Sequence, residues 1–251
     1  MFIVTASEFK ERINIVADVM SEQTSLKDID LANYNLLLEV SELYESIELL
    51  INNQHNTTLP ALARILFERY IYIMFLNKSK NYANDRAKKY LDYTEYEIQK
   101  YHEFVYHNDT KETSYSDIRN YIGINQNDNE FSQAFNMNNL TMKKDKFRNG
   151  FTNINNKNFK WYSQTDEYET DDKGNNVPIE LYNFKDLCYH LGFPVYYHIC
   201  YKNFSSNIHG SASLRSVIED SLYEKPNNTP NVDLSISIVA FVINRLSGMF
   251  Q

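Results

Sequence analysis

The residues best equipped for chemistry sit late in the chain, in YKNFSSNIHG, residues 201–210. Tyr201, Ser205 and His209 recur every fourth position, which lines three side chains along one face of a helix. Gly210 follows where a helix can stop. An imidazole at that end meets the partial negative charge of the helix C-terminus, which favours its protonated form, and two hydroxyls stand ready to orient it. That is the equipment of a general acid or base. It is also the equipment of a histidine that only caps its own helix, and the segment leaves both readings open.

A second pair lies far upstream in RILFE, where Arg64 and Glu68 stand four apart on an otherwise apolar element. Taking either ion out of water is costly, so the spacing predicts that they pair with each other or with polar groups on a facing helix. A surface pair of small energetic value is the plainer alternative. Arg69, next in sequence, is expected to point elsewhere, into solvent.

Two further clusters invite a metal reading. Cys188, His190, His198 and Cys200 form a C-x-H…H-x-C array of zinc's preferred ligand types. On a helix, however, residues two apart point about 200° apart, so each pair would converge only on distorted backbone. Buried structural side chains are the expectation, and no metal is assigned. The acidic run Asp166, Glu167, Glu169, Asp171 and Asp172 lacks the spacing of a calcium loop and reads as a solvated turn. The six glycines of the chain form neither G-x-G-x-x-G nor G-x-x-x-x-G-K-[ST], which removes the usual phosphate-cradling loops. H-E-x-x-H and G-x-S-x-G are missing as well, and no cofactor is expected.

The elements that must position these residues read as helices. Phe9, Ile13, Val16 and Met20 recur at helical spacing. A long second helix is expected from about 31 to 53, with Leu36, Leu37, Val40, Leu43, Ile47 and Leu50 on a broad face and Asp30 as its cap. Pro60 opens a third, and a fourth runs from about 81 to 106. From about 108 to 180 the pattern gives way to Asn, Asp, Ser and Lys clusters, with short helical candidates near 114–122, 128–137 and 142–149 and room for one hairpin around Gly174. Helical signals return at 184–190, 194–208 and 232–249. The expected fold is an all-α bundle, a single helical domain over 1–251 with a less regular Asn-rich insertion at about 108–180.

Thirty-three acidic residues against 25 basic ones give a net charge of −8, which argues against the long basic footprint of a general DNA-coating protein. Two cysteines are too few for a secreted disulfide scaffold. The start MFIVTASEFKER has no basic lead-in, and the most apolar stretches fall short of the roughly 20 residues that cross a bilayer. A cytoplasmic protein without a membrane span is expected.

Taken in order, the R-x-x-x-E helix at RILFE, the W-x-S segment at Trp161 to Ser163 and the Y-x-x-x-S-x-x-x-H-G segment at 201–210 resemble a group of bacterial helical proteins catalogued as a domain of unknown function. The resemblance runs over roughly residues 30 to 215, and YNFKDLCYHLG looks like the short helix ending in Gly that separates its second and third motifs. A wider resemblance is to the HEPN superfamily, whose helical bundles often dimerise and cut RNA with an R-x-x-x-x-H motif. The chain departs from that motif at its arginine, where Phe204 stands five residues before His209. Arg64 could supply the missing cation if the bundle brings the two helices together.

The resemblance implies a metal-independent RNA endonuclease of the toxin or antiviral-defence type. In that scheme His209 moves a proton at a ribose 2′-hydroxyl or at the leaving oxygen, and Arg64 holds the scissile phosphate. Glu68 orients Arg64 or acts as the second acid–base group. Tyr201, Ser205, Ser206, Trp161 and Ser163 are the expected substrate contacts. A homodimer and a neutralising or regulatory protein are the implied partners besides RNA. The alternative is a non-catalytic helical module that uses the same pocket to bind a nucleotide or another anion and signals to a partner. In a third reading the polar cluster only fixes the crossing of two helices.

Overall fold

The computed structural model of the chain describes residues 4–107, 137–151, 160–204 and 230–250. In chain order its longer elements are α1 (Ala6–Ser21), α2 (Asp28–Asn52), α3 (Leu59–Leu76), α4 (Ala83–His107), α5 (Met137–Asn149), β1 (Gln164–Thr170), β2 (Asn176–Glu180), α6 (Phe184–His190), α7 (Pro194–Tyr197) and α8 (Pro230–Ser247). A π-helical stretch, His198–Asn203, continues α7 directly. Among the described residues the fold is all-α with one small antiparallel hairpin. The candidates at 114–122 and most of 128–137 lie outside the described residues. Contacts divide the chain into two compact units, Met1–Asn84 with Asn183–Gln251, and Asp85–Tyr182.

The first unit is built around α3. Its sequence is apolar on nearly all sides, and Ala63, Leu66, Phe67, Tyr70, Ile71 and Phe75 are all buried, as a helix covered on more than one face requires. It packs against α2 and α8, and α1 lies on α2. Pro60 sits in the first turn of α3, where its missing N–H costs nothing. Phe9, Ile13 and Met20 of α1 are buried as their spacing predicts. The start of α2 differs from expectation. Asp30 is not its cap: the helix begins at Asp28 after Lys27, with no side-chain cap bond, and both aspartates sit in the first turn, where the dipole favours negative charge.

The second unit packs α5 along α4. Phe147 is covered by Tyr93 and Tyr96, and the buried Asp92 carboxylate is shared by Lys88 and Lys146. Burial works against the charged form of Asp92, but the two lysines outweigh it and hold its carboxyl below the usual range. The hairpin pairs Tyr168 with Pro178 and Thr170 with Asn176. Asp171 closes the turn by accepting from the backbone of Lys173 and Asn175, and Gly174 takes the left-handed conformation, φ 80°. Asp166, from the acidic run, is paired with Arg86 of α4.

Candidate anion-binding site

On α3, Arg64, Glu68 and Tyr72 stand at i, i+4 and i+8, one stripe of the helix. Within the same unit, Phe184 of α6, Tyr197 of α7 and Tyr201 of the π-helical stretch gather against this stripe. The Arg64 guanidinium carbon lies 3.9 Å from the centre of the Tyr201 ring. Tyr201 in turn stacks on Tyr197, 5.4 Å between centroids and 16° between planes, and meets Phe184 at 5.1 Å. Arg64, Tyr201 and Tyr197 therefore form a layered stack.

Arg64 and Glu68 are spaced to pair but do not. Glu68 Oε1 accepts a 2.7 Å hydrogen bond from the Tyr72 hydroxyl and lies 4.0 Å from Arg69. Arg69 is not the solvated cation expected of it; it forms an ion pair with Glu39 of α2. Burial works against its charge, yet the two carboxylates hold its pKa above the ordinary value. Arg64 is half-buried, and among the described residues it has no carboxylate partner and donates no hydrogen bond. The N–H groups of a guanidinium are the part that grips a phosphate or carboxylate in a fork, and among the described residues those of Arg64 meet no acceptor.

The two cysteines, Cys188 and Cys200, are fully buried and free. Burial pushes the Cys188 thiol far up, with the Glu68 carboxylate adding to the effect, and burial does the same to Cys200. Thiols in that state are poor nucleophiles. The histidines of the C-x-H…H-x-C array turn to other partners: His190 shares a 2.8 Å hydrogen bond with Lys78, and His198 one of 2.8 Å with Tyr189. Among the described residues no three His, Cys, Asp or Glu side chains gather as metal ligands.

The predicted site residues thus fall into three groups. Arg64, Glu68 and Tyr201 come together in the first unit. Ser205, Ser206 and His209 lie outside the described residues. Trp161 and Ser163, expected as substrate contacts, belong to the second unit. Trp161 is only 2 % exposed and packs edge-on against Tyr90. Ser163 Oγ accepts from the Lys160 backbone in a tight turn. Phe204 is fully buried, so the position where the R-x-x-x-x-H motif has arginine belongs here to the core. Sequence reasoning missed Glu39 and Tyr72, the partners of Arg69 and Glu68. Tyr72 was within reach of it, since RILFERYIY continues the four-residue stripe from Arg64 through Glu68.

Among the described residues no helix is long and apolar enough to cross a membrane. No curated protein and no solved structure matches the chain. A family model does match, over residues 31–225, the span that holds both halves of this stack; the chain belongs to DUF5677, a family of unknown function.

Proposed function

We propose that the stack is the phosphate-binding part of a metal-independent RNA endonuclease. The observation that carries the reading is the contact of Arg64 with Tyr201, because it joins the R-x-x-x-E helix to the first residue of the segment that ends in His209. A guanidinium with no carboxylate in ion-pair reach among the described residues suits a phosphodiester, whose developing negative charge it stabilises in the transition state. The burial of Phe204 is consistent with a cation supplied from another helix. In this reading His209 moves the proton at the 2′-hydroxyl or at the leaving oxygen. Attack of the 2′-oxygen on phosphorus then expels the 5′-oxygen and leaves a 2′,3′-cyclic phosphate. A homodimer and a neutralising protein belong to the same reading.

One observation favours the non-catalytic alternative. With a net charge of −8, the chain suits a compact anionic ligand better than a long polyanion.

Mapping RNA ends in bacterial cells that express wild type, His209→Ala or Arg64→Ala separates the two. New cyclic-phosphate ends with wild type alone are the expected result. Identical end maps for the three proteins, all folded and expressed, would remove cleavage and leave the binding module.

A further inference from the structure

Arg64 and Glu68 share a helix face at a spacing at which an arginine and a glutamate ordinarily meet. A carboxylate on that guanidinium would compete with any anionic ligand. Glu68 has other partners. The Tyr72 hydroxyl donates to Oε1, and Arg69 approaches the same oxygen from the side. The Tyr72 ring is set edge-on to Phe184, centroids 6.0 Å apart and planes at 90°, so its hydroxyl is aimed by packing and not only by the bond it makes. Arg69 is anchored in turn by Glu39 on α2. A hydrogen bond to a charged group outweighs an i,i+4 ion pair on a half-exposed helix.

We infer that Tyr72 is a positioning residue: with Arg69 it draws Glu68 off Arg64 and keeps the guanidinium edge open to a phosphate-type anion. The inference rests on the anion-binding reading of Arg64. It makes the R-x-x-x-E motif two separate tools, a cation kept unpaired and a carboxylate parked one turn away. The Tyr72 hydroxyl works through Glu68 in this arrangement, so the effect of removing it on anion binding should depend on the charge of Glu68.

The test measures binding of a short fluorescein-labelled 2′-O-methyl RNA to the full chain by anisotropy; this probe cannot be cut through a 2′-hydroxyl. Tyr72→Phe keeps the ring against Phe184 and frees Glu68 to turn to Arg64, and binding should weaken about tenfold. The double variant Tyr72→Phe/Glu68→Gln removes the competing charge and should regain wild-type affinity, which a merely structural role for the hydroxyl would not produce. Thermal unfolding checks that each variant is folded. If Arg64→Ala abolishes binding while Tyr72→Phe matches wild type, or if the double variant stays weak, the inference is overturned and the reading of Arg64 survives. If wild type does not bind, or Arg64→Ala binds as well as wild type, that reading falls and takes the inference with it.

Discussion

Tyr44 is closed inside the first unit, its ring edge-on to Phe9 and its hydroxyl donating a 2.8 Å hydrogen bond to the Val4 carbonyl. Burial, with Glu48 and Glu8 adding to it, pushes its pKa up to about 12. A phenol harder to ionise folded than unfolded contributes stability that is fully present below its ordinary pKa of about 10 and is lost as pH rises through about 12. Tyr44→Phe should therefore cost about 1 kcal/mol near neutral pH, the worth of the hydrogen bond, and lose less stability than wild type on going from about pH 8 to about pH 11. Urea midpoints at the two pH values measure it. A variant with the same alkaline loss as wild type would place the sensitivity on other tyrosines. At this scale the sequence was half legible. Arg64 and Glu68 could be picked out as charges on an apolar helix, but the choice Glu68 makes between Arg64, Arg69 and Tyr72 depends on Phe184 and Glu39, which arrive from other helices.

Helix ends were legible in part, since Asp30 was misread as a cap, and one plain signal went unread. T-A-S-E at residues 5–8 spells a capping box, and both of its bonds form: Thr5 Oγ1 accepts from the Glu8 amide, and Glu8 accepts from the Thr5 amide at 2.7 Å. The range 184–190 was read from its helical signal and the glycine behind it, and the structure adds Asn183 as its cap. There the Gly192 amide donates to Tyr189 and the Phe193 amide to Cys188, with Gly192 at φ 81°, the full Schellman pattern. A methyl group at Gly192 would touch nothing, so the cost of Gly192→Ala is backbone strain alone, about 1–2 kcal/mol. Gly248→Ala, also in open space but without a positive φ, should be close to neutral. Chemical denaturation of both variants checks the contrast, and equal costs would refute it. The π-helical turn at 198–203 was not legible. The same residues satisfy a 3.6-residue period, and the wider turn accompanies packing that places Cys200 and Phe204 in the core.

Across the whole molecule, local periodicity identified the helices but was silent on which distant segments share a core. The first unit closes by bringing α8 onto α3 across the intervening second unit of the chain, and no spacing within either helix announces it. The two cysteines of the chain belong to that first unit, at 0 % exposure and with their thiols pushed up by burial. A thiol reagent meets neither until the unit opens. A cysteine placed at Val195, 65 % exposed, should therefore take a maleimide dye at once and alone, with no native cysteine replaced beforehand. The delayed appearance of the second and third labels, counted by mass spectrometry, would then serve as a clock for opening of the first unit; three labels arriving together would mean that its interior is already in exchange with solvent.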